Sequence, residues 1–264
     1  MEPGNDVKEF FRVLEENKIK PTFWMSEEYF EKAKFKVKAG AQGMSVRDEF
    51  GILVFPLILY SGKIVDCACW SSFVGNVFPK YSAVFVDYEF IYNPKDFKDM
   101  SGGRWSAYRK NVNRFKKRNP IVFYEHRQSY FYKNQQQKIV NIFVDWLLSK
   151  EKEFIIEDDE VILEYIVRGE NQKILWNDKA EIIGVNIWDE NYKYINFRYS
   201  FCDKRQAYLS EYLRYLFYTD PEIVNKNKLV NDGGVLGFPS LYKFKNKMNP
   251  MEINTINGWE MKNG

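Results

Sequence analysis

Three runs of residues between 172 and 201 limit the possible architecture more than any other part of the chain. Gln172 to Trp176, Ala180 to Trp188 and Tyr192 to Phe201 are rich in Ile, Val, Trp, Tyr and Phe, and only turns containing Asn177-Asp178 and Asp189-Glu190-Asn191 separate them. Connections this short cannot return a chain to the same end of a sheet, so the strands pair antiparallel. Helical patterns lie on both sides. From residue 104 onward the predicted order is a helix Arg104 to Arg118, a strand Ile121 to Tyr124 and helices Tyr132 to Ser149 and Asp159 to Val167. The three strands follow, then a helix Lys204 to Thr219, a strand Lys228 to Asn231, a helix Pro239 to Met248 and a strand Glu252 to Ile256. The apolar stripes that support these helices are Trp105, Tyr108, Val112 and Phe115; Ile139, Phe143, Trp146 and Leu147; Leu209, Leu213 and Leu216; and Leu241, Phe244 and Met248. This order predicts an α+β fold of mixed α/β layers and excludes a doubly wound one.

Before it, Asp6 to Asn17 reads as a helix, and Ser26 is placed to cap a second one from Glu27 to about Phe35. Strands are expected at Arg47 to Tyr60, Lys63 to Trp70 and Ser82 to Tyr92, divided by Ser61-Gly62 and Pro79-Lys80. Breaks at Asn93-Pro94 and Ser101-Gly102-Gly103 suggest two units, residues 1–100 and 101–264. The aromatic share of 18% gives both enough apolar bulk for a core.

Net charge is only +3, so the basic character of the chain is local. The stretch Ser101 to Pro120 carries seven positive charges and no negative one. Its cations lie opposite the seam of Trp105, Tyr108, Val112 and Phe115, a pattern suited to an anionic partner and equally to a solvated helix face. No apolar run reaches the roughly 20 residues of a membrane span. The first ten residues lack the basic and apolar regions of an export signal, which points to a cytoplasmic location. Cys67, Cys69 and Cys202 are odd in number and read as reduced thiols. With His126 the single histidine, no metal site is expected.

The words Val230-Asn231-Asp232-Gly233 and Leu236 through Lys245 (LGFPSLYKFK), together with Arg104 through Phe115, resemble the soluble domain of the phosphatidylglycerol lysyltransferase family. More loosely they resemble the Fem aminoacyltransferases, both built on the GNAT acyltransferase fold. The resemblance implies two pseudo-repeated GNAT-like units, the first one reduced here. It also implies a charged tRNA as aminoacyl donor and an amine or hydroxyl acceptor. The chain departs from acetyl-coenzyme A enzymes of that fold where they carry a glycine-rich pyrophosphate loop. Here Phe201-Cys202-Asp203-Lys204-Arg205-Gln206-Ala207 has no glycine, which disfavours coenzyme A. No other cofactor is identified.

On this reading Asp203, Asn231 and Asp232, at strand ends, are the catalytic candidates. Their plainer roles are a helix cap for Asp203 and an Asx turn before Gly233 and Gly234 for the other two. Anion-binding candidates are Arg104, Arg109, Lys110, Asn113, Arg114 and Lys117 on the basic helix, Arg205 at the start of a later helix, and Tyr242, Lys243 and Lys245 on the last one. Asn196, Arg198 and Ser200 alternate along one strand and are expected to share a face. An arginine there needs an internal carboxylate or a ligand anion. The nature of the anion stays open between tRNA and DNA. The alternatives to aminoacyl transfer are modification of an extruded nucleobase, with Tyr192, Tyr194 and Tyr199 as stacking partners, and an inactive binding protein on the same fold.

Overall fold

The computed structural model describes residues 3–40, 43–47, 53–58, 81–126, 132–148, 159–168, 170–235 and 237–261. The expected strand Lys63 to Trp70, with Cys67 and Cys69, lies outside them.

The amino-terminal part contains α1 (Pro3–Glu16), α2 (Glu27–Lys32) and the strands β1 (Lys36–Gly40), β2 (Gly43–Arg47) and β3 (Leu53–Ile58), which form a small antiparallel sheet in the order β1-β2-β3. Ser26 caps α2 as its position predicts, its hydroxyl accepting from the Tyr29 amide at 3.1 Å. A long strand, β4 (Tyr81–Tyr92), and the short α3 (Asp96–Asp99) lead to α4 (Ser106–Arg118). After α4 come β5 (Val122–His126), α5 (Tyr132–Leu148), α6 (Asp159–Arg168), β6 (Gln172–Asn177), β7 (Ile182–Glu190) and β8 (Tyr194–Cys202). The chain ends with α7 (Leu209–Thr219), α8 (Pro221–Asn225), β9 (Leu229–Asn231), α9 (Pro239–Asn246) and β10 (Glu252–Met261).

Among the described residues seven strands form the main sheet in the order β10-β4-β9-β8-β7-β6-β5. The expected β6-β7-β8 meander is antiparallel throughout, whereas β8 and β9 run parallel because α7 and α8 carry the chain back between them. β4 belongs to the part before residue 100, yet it pairs with β9 and along its length with β10. The mixed architecture is that of an α+β protein.

Alternation along the strands supplies two cores. Ile174, Ile182, Val185 and Ile187 join Phe10, Leu14, Phe30, Ile139, Phe143 and Ile166 from α1, α2, α5 and α6 on one side. Leu175, Ile183 and Trp188 join Tyr108, Val112, Phe115, Leu213 and Phe217 from α4 and α7 on the other. The aromatic seam of the basic helix is therefore core.

β1, β2, α3 and α8 are elements that the sequence pattern does not predict, and two further features depart from expectation. α7 starts at Leu209 and not at Lys204, because residues 203–208 form a turn that ends with Tyr208 at φ +69°. β8 carries a bulge: Ile187 faces Tyr199 and Asp189 faces Asn196, so β7 advances two residues while β8 advances three.

Candidate functional site

β8 and β9 pair only over Tyr194 to Asn196 and Leu229 to Asn231. Beyond that point β8 continues to Cys202, while the segment after β9 parts from it at Asp232 and Gly233, the latter at φ +63°, and stays bonded to Phe90 of β4. Side chains from α7 and α9 converge where the strands part. Asp232 is 3% exposed, and its carboxylate accepts from Tyr218 OH at 3.0 Å and from Arg214 Nη2 at 3.2 Å. Lys245 Nζ lies 3.3 Å from the same carboxylate and donates to the Asp232 carbonyl. Two buried cations thus share one carboxylate. The Arg214 guanidinium lies between the rings of Phe197 and Phe244, at 5.0 and 5.3 Å, and its Nε, buried, makes no hydrogen bond.

Burial opposes the charge of both cations, with opposite outcomes. For Arg214, burial is the largest single influence, but Asp232 together with Tyr218, Tyr92 and Tyr108 outweighs it and holds the pKa above its ordinary value. For Lys245, burial outweighs Asp232 and lowers it. Burial, followed by Asp232, keeps the Tyr218 phenol well above its usual pKa. Such a group of donors in a nearly dry setting can stabilise negative charge developing on an acyl oxygen.

The polar residues on the opposite face of the sheet do not join this cluster. Arg198 Nε donates to Asp189 at 2.6 Å, and its other nitrogens donate to Ser26 Oγ at 2.9 Å and to the Phe23 carbonyl. Asn196 Nδ2 donates to the same Asp189 carboxylate at 2.9 Å, as does Ser26 Oγ at 2.8 Å; Tyr165 OH is a fourth donor. The anticipated cleft formed by Asn196 and Arg198 is therefore closed, and the partner of the arginine is internal. The bulge also turns Ser200 away from them to Asn186, at 2.9 Å. Asn231, expected in the site, donates to Glu89 at 3.0 Å and accepts from the Gly233 amide at 2.9 Å, the plainer Asx-turn role. Glu89 is buried, and its second oxygen accepts from the Phe23 amide at 2.5 Å. Desolvation raises its pKa to about 7 against the pull of these two donors.

Asp203 neither caps α7 nor reaches Asp232. It accepts from the Arg205 amide at 3.0 Å and from the Arg205 side chain at 2.8 and 3.0 Å, and these hydrogen bonds keep its pKa low. The Arg205 guanidinium stays exposed beside it. Arg118, at the end of α4, and Arg205 line one groove of about 360 Å³ between the β6–β7 turn and the β8–α7 turn.

α4 reaches this groove by packing on α7. Phe115 stacks on Tyr212 at 4.7 Å, and Tyr108 OH donates to the Glu211 carbonyl at 2.8 Å. Arg114 donates to Tyr208 OH at 3.1 Å, and the guanidinium groups of Arg114 and Arg118 lie 5.4 and 5.6 Å from the Tyr208 ring. Glu211 accepts from Asn111 at 2.9 Å and from Lys247 at 2.7 Å, linking α4, α7 and the end of α9. Arg104, Lys110, Asn113 and Lys117 are exposed, as is Lys243. Two candidates have structural partners instead: Arg109 holds the Met100 carbonyl, and the Tyr242 ring packs edge-on against Tyr88 and Phe90 at 5.5 and 5.4 Å. Tyr194 is 1% exposed, and Tyr199 is stacked on Phe201 at 5.8 Å, so neither ring is available to a base.

The sequence reading missed Arg214, Tyr218, Glu211, Tyr208, Glu89 and Asp189 as site residues. Arg214 offers the one usable signal, a charge directly after Leu213 in an otherwise apolar helix segment. Among the described residues no cluster of His, Cys, Asp and Glu can hold a metal ion, and no helix is long and apolar enough to cross a membrane.

No family model matches this chain, and no curated protein matches its sequence. Solved structures do resemble it. A conserved protein of unknown function from Bacteroides thetaiotaomicron superposes with a TM-score of 0.67 at 12% identity, over 91% of this chain and 90% of the other. L-PGS from Bacillus licheniformis gives 0.55 at 14% identity, over 71% of this chain and 64% of its own. The C-terminal domain (DUF2156) of a putative lysylphosphatidylglycerol synthetase from Agrobacterium fabrum gives 0.62 at 11% identity, over 100% of this chain and 93% of that domain. At these identities the likeness is one of fold, and the fold of this chain is that of the lysylphosphatidylglycerol synthetase C-terminal domain.

Proposed function

We propose that this chain is an aminoacyltransferase that takes its acyl group from a charged tRNA and passes it to an amine or hydroxyl. The observation that carries this reading is the shared groove of Arg118 and Arg205, which joins the basic helix to the end of β8. Phosphates of a tRNA end held by Arg114, Arg118 and Arg205, with Lys117 on the same turn and Lys110 farther along α4, direct the ester toward the place where β8 and β9 part. Coenzyme A fits this loop poorly. The Arg205, Gln206 and Leu209 amides donate to Asp203 Oδ1, the Asp203 carbonyl and the Gln206 carbonyl, so they are not free for a pyrophosphate.

In the transfer, the acceptor's nitrogen or oxygen attacks the ester carbonyl, the new bond to carbon forms, and the ribose oxygen leaves with a proton. Asp232 keeps Lys245 and Arg214 in place, and the unpartnered Arg214 Nε–H is the donor left for the developing oxyanion. Lys245, with its lowered pKa, is the group suited to exchange a proton with acceptor or leaving oxygen.

The test measures binding of aminoacyl-tRNA, duplex DNA and acetyl-coenzyme A, and then transfer from charged tRNA to a panel of amines and hydroxyl compounds. Arg214→Lys is expected to lower transfer by about a hundredfold with tRNA binding intact. Arg118→Gln with Arg205→Gln is expected to weaken tRNA binding instead. Tight coenzyme A binding without tRNA binding overturns the reading. Unchanged function in Arg214→Lys and Asp232→Asn leaves a binding protein on this fold.

A further inference from the structure

A second cavity, of about 570 Å³, lies at the opposite ends of the central strands, between α1, α2, the β7–β8 turn and the segment leading into β9. α1 presents Lys8, Phe11, Arg12 and Glu15 to it, at helical spacing. Arg12 is already held by Glu9 and Glu16. Among the described residues Lys8 and Glu15 make no ion pair, and neither does Glu27 from the first turn of α2, although all three line the same cavity and are exposed.

The less exposed walls have a similar division of charge. Lys226 and Lys228 both bind Glu190, which leaves one positive charge in surplus on the side of the β7–β8 turn. On the α2 side, Glu28 is shared between Lys32 and Asn171, and burial still raises its pKa. With Glu28 paired to Lys32, the negative charge on this side comes from Glu15 and Glu27, which have no ion-pair partner among the described residues. Phe11 and Tyr192 supply an apolar lining.

We propose that this cavity is a binding site for a small zwitterion with a free ammonium and a free carboxylate, such as an α-amino acid or a short peptide. The ammonium is received by Glu15 and Glu27, and the carboxylate by Lys228 and Lys8. A ligand with both charges satisfies groups of both signs that the fold leaves unmatched, and a ligand with one charge satisfies half of them. The site is separate from the Asp232 cluster and does not depend on the transferase reading.

Calorimetric titration of the full chain tests it with glycine, lysine and diglycine, and with N-acetylglycine and glycinamide as capped controls. Saturable binding near the millimolar range is expected for the uncapped compounds, with about a tenfold loss on capping either end. The comparison of glycine, lysine and diglycine tells a free amino acid from a peptide terminus. Glu27→Gln and Lys8→Met are expected to weaken binding about three- to fivefold each, with unchanged melting temperature because both side chains are exposed and neither has a partner among the described residues. Absence of saturation to about 50 mM, or equal binding of capped and uncapped compounds, overturns the proposal.

Discussion

At the scale of single residues, the buried ionisable groups make the sharpest predictions. Glu89 has a folded-state pKa of about 7, above its ordinary value, because desolvation outweighs the Phe23 amide and Asn231. The fold therefore favours its protonated form. That contribution is complete below about pH 4.3 and is lost as the pH rises toward 7, a change on the order of 3 kcal/mol. Glu89→Gln is expected to flatten this part of the pH profile of thermal unfolding; a profile that keeps its slope removes Glu89 as the cause. Arg198→Met leaves the Asp189 carboxylate buried without its cation, with an expected loss of about 3–5 kcal/mol in denaturant unfolding. Asp189→Leu combined with Arg198→Met is expected to recover part of it, and full additivity of the two losses argues against a coupled pair.

At the scale of elements, α4 divides its work between two surfaces. Tyr108, Val112 and Phe115 are fully buried, so they anchor the helix, while its exposed cations are free to meet a partner. Lys110→Gln with Lys117→Gln is expected to leave stability within about 0.5 kcal/mol. If these lysines contact tRNA phosphates, the same pair lowers the salt dependence of binding by about 0.7–0.9 per charge removed. A slope equal to that of the unaltered protein places the tRNA elsewhere. The turn after β9 is less tolerant. A Cβ on Gly234 falls 2.1 Å from Asp87 Oδ2 and 2.8 Å from the Tyr88 carbonyl, so Gly234→Ala is expected to cost more than about 2 kcal/mol in thermal or denaturant unfolding.

For the whole molecule, the question is whether residues 1–100 and 101–264 stand apart. β4 pairs with both β9 and β10, and the segment around Phe23 to Ser26 supplies partners to Arg198 and Glu89. A fragment beginning at residue 101 lacks all of these. It is expected to fail to fold, as read by circular dichroism and amide spectra, because its sheet loses β4 and the buried Arg198 and Asn231 lose hydrogen-bond partners. A cooperative, soluble fragment supports two separate units.

Much of the element order follows from local pattern alone, since it needs only periodicity and punctuation. The β6-β7-β8 meander, the seam of α4 and the Ser26 cap are of this kind. The start of α7 was not legible, because Asp203 satisfies the Arg205 amide and delays the helix by several residues. Nor was the direction of Asn196, Arg198 and Ser200, because one extra residue in β8 breaks the alternation on which such a reading depends. The candidate site was legible only in Asp232, Lys245, Arg205 and the basic helix. Arg214 and Tyr218 reach Asp232 across 18 and 14 residues of chain, and Glu89 reaches Asn231 across 142, which no local spacing encodes. The sequence by itself determined most of the helices and strands from residue 104 onward, through the short-range preferences of their residues. Tertiary structure alone decided which charges meet, because burying a charged group depends on partners brought from distant parts of the chain.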